Sequence, residues 1–83
     1  MIGRRLHDPW KVSDLQPGDY ARAGDGTWWI CLPGNGERGT LREHQITEHE
    51  DGTITVNPSI LFDPTPFAFG WHGHLVRGMW TEA

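Results

Sequence analysis

The chain of 83 residues carries a single cysteine, Cys31, so it forms no internal disulfide, and a reducing cytosol fits that usage. It has no apolar run near the roughly 20 residues of a membrane-spanning helix. Met1 to Asp8 offer no hydrophobic signal core. Positive charge is also scarce. Seven basic residues face eleven acidic ones for a net charge of −4, and only Arg4 and Arg5 are adjacent. A phosphate backbone calls for a basic stripe, so nucleic-acid binding is disfavoured. Sustained helical periodicity is missing as well. Eleven glycines and six prolines interrupt the chain, and the best helical stretch, Val12 to Gln16, is one turn at most before Pro17-Gly18.

Aromatic residues make up for the shortage of aliphatics. Hydrophobic residues are only 36% of the chain, but five are Trp, with three Phe and one Tyr. Each ring can bury about 150–250 Å², which matters in a domain that buries only about 60% of its unfolded surface. The expected organisation is one domain over residues 1–83: an N-terminal arm (1–16), hairpins (17–56), a Pro/Phe loop (57–70) and a C-terminal hairpin (71–83). The predicted fold is all-β, a small antiparallel barrel, roll or sandwich built from successive hairpins.

Apolar patterning fixes the expected registers. A two-residue turn at Asp51-Gly52 would split the apolar residues between faces. A three-residue loop, Glu50-Asp51-Gly52, with Gly52 left-handed, pairs Ile46 with Val56. Ile46, Glu48, Ile54 and Val56 then share one face, and Thr47, His49, Thr53 and Thr55 share a solvent-facing one. The same reasoning on Gly24-Asp25-Gly26 sets Tyr20 opposite Ile30. With Pro33 to Gly36 as the next loop, Leu41 lies opposite Trp28. Trp28, Ile30 and Leu32 form the expected core face, while Trp29 is either covered by the arm or partly exposed. Gly26, Gly52 and Gly78 recur every twenty-six residues, but their flanking residues do not match, which favours chance or the cadence of a β-meander over an internal repeat of hairpins.

Residues 57–70 differ in character. Pro58, Pro64 and Pro66 exclude a central strand, while Ile60, Leu61, Phe62, Phe67 and Phe69 are too apolar for an ordinary solvated loop. The segment reads as a lid across one end of the sheet or as a partner-binding surface. Phe62, Phe67 and Phe69, with Trp71 and Trp80 flanking the last hairpin, are the candidate protein-binding residues. So many tryptophans exceed what so small a core accommodates, so at least one of Trp10, Trp29, Trp71 and Trp80 is expected at the surface or in a contact.

No catalytic constellation is visible. Cys31 lies mid-strand after two tryptophans, a setting for a buried, inert thiol. Glu48 and Glu50 flank a turn, and the glycines at 34, 36 and 39 lack the following GK[ST] and helix of a phosphate loop. His72 and His74, two apart on a strand, point to one face and are weak metal candidates with Cys31. No recognised four-ligand spacing accompanies them, so no cofactor is expected, with zinc as the alternative.

The order Trp29-x-Cys31, then Thr47-Glu48-His49-Glu50-Asp51-Gly52-Thr53-Ile54-Thr55-Val56-x-Pro58-Ser59-Ile60, then Trp71-His72-Gly73-x-Leu75-x-x-Gly78-x-Trp80 resembles a family of small uncharacterised proteins. Its members are common in actinobacterial phage genomes and occur in bacteria. The resemblance spans residues 27–80. Some relatives carry extra cysteines suggestive of zinc, where this chain has Leu32, Pro33 and Phe69. The resemblance implies a phage origin, hence the host cytoplasm or a virion, and no particular reaction. The expectation is a non-enzymatic module that binds another protein or itself.

Overall fold

In the computed structural model of the chain, residues 1–64 and 70–83 are described. Among them are nine strands and one short 3₁₀ turn: β1 (Arg4–Leu6), the turn (Val12–Asp14), β2 (Asp19–Arg22), β3 (Trp28–Cys31), β4 (Arg38–Thr40), β5 (Gln45–Glu48), β6 (Ile54–Asn57), β7 (Ile60–Phe62), β8 (Trp71–Val76) and β9 (Met79–Glu82). They form three sheets, β1-β2-β3-β4, β5-β6 and β7-β8-β9. The fold is all-β without a closed barrel.

The hairpin registers follow from apolar patterning and turn chemistry. Ile46 pairs with Val56 and Glu48 with Ile54, while the His49 N–H donates to the Thr53 carbonyl across Glu50-Asp51-Gly52. Gly52 has φ +86°, the left-handed region that closes this loop. Tyr20 pairs with Ile30, and the Leu41 N–H donates to the Trp28 carbonyl. The two Asp-Gly-Thr tripeptides do the same local work. Asp25 Oδ1 accepts from the Thr27 N–H at 2.9 Å, and Asp51 Oδ1 accepts from the Thr53 N–H at 3.0 Å and from its hydroxyl at 2.6 Å. Each bond favours the ionised carboxylate and holds that aspartate below its usual range.

Strand β3 is buried on both sides. Trp28 and Ile30 enter the main core with Tyr20, Leu32, Leu41, Ile54, Val56, Ile60, Trp71, Leu75 and Trp80. On its other face Cys31 packs with Leu15 and Ala21 in a smaller cluster that Leu6, Trp10 and Trp29 flank. Trp29 is thus covered by residues of the arm.

Residues 1–16 are more than a cover. Strand β1 pairs in parallel with β2, and Ile2 bridges to Met79 of β9, so the first six residues join two sheets. A three-residue strand of Arg-Arg-Leu has no alternation to betray it. Two arginines fix its position. Arg4 makes a two-pronged pair with the buried Asp19, at 3.2 and 2.8 Å, and Asp19 also accepts from the Gln16 N–H. Arg5 lies 4.9 Å over the Trp28 ring and donates to Glu48 Oε2 at 2.7 Å and the Gly52 carbonyl at 3.0 Å. It therefore ties β1 to the β5-β6 hairpin across a core tryptophan.

Two further expectations are corrected. Thr47 is exposed, but His49, Thr53 and Thr55 are half-buried, because the β8-β9 turn lies on them. The Arg77 N–H donates to Thr55 Oγ1 at 3.0 Å, and the Gly78 N–H to the Ile54 carbonyl at 3.0 Å. The segment 57–70 is not wholly loop either: Ile60–Phe62 is an edge strand of the third sheet, which escapes the prolines on both sides.

Gly52→Val is expected to lower stability by about 1–2 kcal/mol, since a β-branched side chain resists positive φ. Urea denaturation checks this, and an unchanged midpoint would contradict the loop geometry. A second prediction concerns pH. The hydrogen bond from Arg5 holds the Glu48 carboxyl below its usual range. A carboxylate lowered on folding stabilises above its unfolded pKa, and that stabilisation is lost as pH falls through the folded value. Glu48→Gln should therefore melt below the parent at pH 7, with the two melting points converging below the carboxylate range. A gap that persists in acid would contradict the charge pairing.

Candidate functional site

Strand alternation on β7, β8 and β9 sorts their side chains into two sets. Trp71, Gly73 and Leu75 of β8 face inward, as do Ile60 and Trp80, while His72, His74 and Val76 face outward. Register places Leu61 opposite His72, Thr81 opposite His74, and Met79 opposite Val76. Arg77-Gly78, with φ of 47° and 74°, forms the two-residue turn that keeps this register. Ile2 bridges to Met79 and so extends the same outer face.

That face is largely apolar. Ile2, Leu61, Val76 and Met79 are 78%, 59%, 50% and 43% exposed. The other outward positions on the three strands are His72, His74 and Thr81, so among the described strand residues no Asp, Glu, Lys or Arg interrupts the face between Leu61 and Met79. The His72 and His74 ring centres are 6.3 Å apart, and His72 Nε2 lies 3.0 Å from Ser59 Oγ.

The expected binding residues are distributed differently. Trp71 and Trp80 are 6% and 2% exposed and meet edge to face at 5.5 Å, so they belong to the core, not to a contact surface. Gly73 lacks the Cβ that would strike the Trp71 ring, and the Trp80 indole donates to the Gly18 carbonyl at 2.9 Å. Phe62 is half-buried with its ring over Gly39, where a Cβ would collide with it. Phe67 and Phe69 lie outside the described residues. The surface residues that sequence reasoning missed are Ile2, Val76 and Met79, while Leu61 belongs to the segment read as a lid or a partner-binding surface. Alternation from Trp71 through Val76, read with a two-residue turn at Arg77-Gly78, places Val76 and Met79 outward, but the sequence leaves that turn length open.

A hollow of about 460 Å³ opens beside Leu61, Phe62, Trp71, His72 and Glu82, under the Gly34-Asn35 loop. The Trp71 indole N–H is buried without a partner against Gly34, with Glu82 Oε1 close to the same glycine.

Cys31 is buried on the far side of β3 and donates to the Gly36 carbonyl at 3.2 Å. Burial pushes its thiol up, with Arg38 opposing only in part, so the nucleophilic thiolate is disfavoured. It is not brought together with His72 and His74. Among the described residues no three His, Cys, Asp or Glu side chains from this one chain gather as a metal site. No described helix is long and apolar enough to cross a membrane. Compared with known proteins, the chain matches no family model, no curated protein and no solved structure.

The buried thiol gives a direct check. Cys31 should react with a thiol reagent in native protein at least about tenfold more slowly than in urea-unfolded chain, as burial and a raised pKa require. Equal rates would place it at the surface.

Proposed function

We propose that this chain is a small, non-enzymatic protein-binding module of phage type, whose contact surface is the outer face of the β7-β8-β9 sheet. The observation that carries the reading is four exposed apolar side chains on one face, Ile2, Val76 and Met79 together and Leu61 beside His72, with no Asp, Glu, Lys or Arg at the outward positions of its three strands. Interface centres are depleted in charge and enriched in such side chains, and a soluble monomer rarely leaves a contiguous apolar patch in water. Apolar burial is the driving force, and His72, His74 and Thr81 supply hydrogen-bonding groups beside the apolar side chains. Cys31, buried and with its thiol pushed up by that burial, supports the non-enzymatic reading. The resemblance to small phage proteins supports action in a host cytoplasm or a virion, on a partner protein or on a second copy.

The test is the variant Val76→Lys with Met79→Lys. Both side chains are exposed, so the melting point should move little. Self-association by light scattering, or retention of a host protein relative to the parent chain, should fall at least about tenfold, since a desolvated unpaired lysine is costly in an interface. Undiminished association with an intact fold would place the contact elsewhere.

A further inference from the structure

We infer that the partner of the outer face is a basic polypeptide surface, apolar at its centre with Lys or Arg on both flanks, an inference that rests on the reading of this face as a contact surface. Charge is unevenly spread along the chain. From Glu43 onward it holds six carboxylates, Glu43, Glu48, Glu50, Asp51, Asp63 and Glu82, against one Lys or Arg, which is Arg77. That stretch forms the β5-β6 hairpin and the whole β7-β8-β9 sheet.

What the face offers depends on which of these charges are already answered. Glu48 accepts from Arg5 at 2.7 Å and has Arg22 at 4.0 Å. Asp51 and Arg77 line one hollow beside the β8-β9 turn. The bonds from Thr53, and to a lesser degree the charge of Arg77, keep the Asp51 carboxyl below its usual range. Glu50, Asp63 and Glu82 remain. All three are exposed, and none makes an ion pair among the described residues. Residues 65–69 hold no charged side chain that could supply one.

The three free carboxylates frame the apolar side chains. Glu50 lines the same hollow as Arg77, at the turn end of the sheet where Val76, Met79 and Ile2 gather. Glu82 is level with Gly73, and Asp63 follows Phe62, which pairs with Trp71, so both mark the opposite end. Glu82 shares a hollow there with Leu61. The six residues of β8 separate the two ends by roughly 20 Å. A partner helix of about 13 residues covers that distance and presents apolar side chains between flanking cations. The net charge of −4 repels a second copy, a phosphate backbone and an anionic lipid surface, and attracts a cationic partner. Such complementarity orients the encounter and speeds it, while apolar burial holds the complex.

The probes are two peptides of about 14 residues with leucine at amphipathic helical spacing, one with lysine and one with glutamate at all remaining positions. Each is titrated against the full chain by steady-state and stopped-flow tryptophan fluorescence. At about 50 mM salt the lysine peptide should bind at least about tenfold more tightly than the glutamate peptide. The difference should vanish near 1 M salt, where screening sets in beyond about 3 Å. Glu50→Gln, Asp63→Asn and Glu82→Gln together should slow lysine-peptide association at least about fivefold. Asp8→Asn with Glu43→Gln, exposed carboxylates outside the β7-β8-β9 sheet, should change it by less than about twofold. Val76→Thr with Met79→Gln, which adds no charge, should weaken binding at least about tenfold. Equal binding of both peptides, undiminished association in the triple variant, or a control effect as large as the triple's would overturn the basic partner. If Val76→Thr with Met79→Gln still weakens binding in those cases, the outer face stands as the contact surface. Lysine-peptide binding indifferent to that pair would overturn both readings. Binding of neither peptide would overturn the inference, and Val76→Lys with Met79→Lys then judges the surface separately.

Discussion

Gly3 sits where the start of β2, the start of β9 and the N-terminal segment meet without room for a side chain. A Cβ there would lie 2.9 Å from the Gly18 carbonyl oxygen and the Trp80 indole nitrogen and 3.0 Å from the Gly78 carbonyl oxygen. The close approach lets backbone bonds run in both directions from one short segment. The Gly3 N–H donates to the Gly78 carbonyl, the Trp80 N–H to the Met1 carbonyl, and the Arg4 N–H to the Gly18 carbonyl. The Trp80 indole bond to the Gly18 carbonyl closes the same junction from inside the core. The β1-β2-β3-β4 and β7-β8-β9 sheets, which share no strand ladder, thereby become one packed unit, and the Gly78 N–H to the Ile54 carbonyl brings in the β5-β6 hairpin.

Packing and surface chemistry follow from that junction. With β9 fixed against the first residues, Trp80 points inward onto Trp71, and alternation obliges Met79 and Thr81 to point outward. The same constraint brings Ile2 beside Met79, so the segment that closes the core also widens the apolar outer face. Arg5 adds the second tie, from β1 over Trp28 to the β5-β6 hairpin. Its charge-assisted bond to Glu48 is partly exposed and modest by itself. Its bond to the Gly52 carbonyl and its position over the ring give it a geometric role that a point charge would not fill.

Much of the fold was legible in the residues. Asp-Gly-Thr loops, alternating apolar positions and the Tyr20-Ile30 and Ile46-Val56 pairings depend on local chemistry with period two, which a single sequence displays. The parallel pairing of Arg4–Leu6 did not show, because its partner lies fifteen positions away and its register comes from a salt bridge to buried Asp19. The β7 strand hid between prolines for a similar reason: three residues on a sheet edge need no alternation beyond Ile60 in, Leu61 out and Phe62 in. At the candidate site, two of the aromatic residues that the sequence singled out, Trp71 and Trp80, lie inside. Trp71 and Trp80 are large enough to be the core themselves, so the exposed apolar residues are smaller ones whose hydrophobicity is unremarkable in the linear sequence.

The account makes the N-terminal segment a structural member with the stability of the core, and native-state amide hydrogen exchange measures this residue by residue. The Gly3 and Trp80 amides, bonded across the junction, should exchange with an opening free energy close to that of Ile30 at the centre of β3, as parts of one cooperative unit. Exchange of Gly3 and Trp80 near the unprotected rate, with Ile30 still slow, would show a frayed arm beside an independently stable core and would contradict the account.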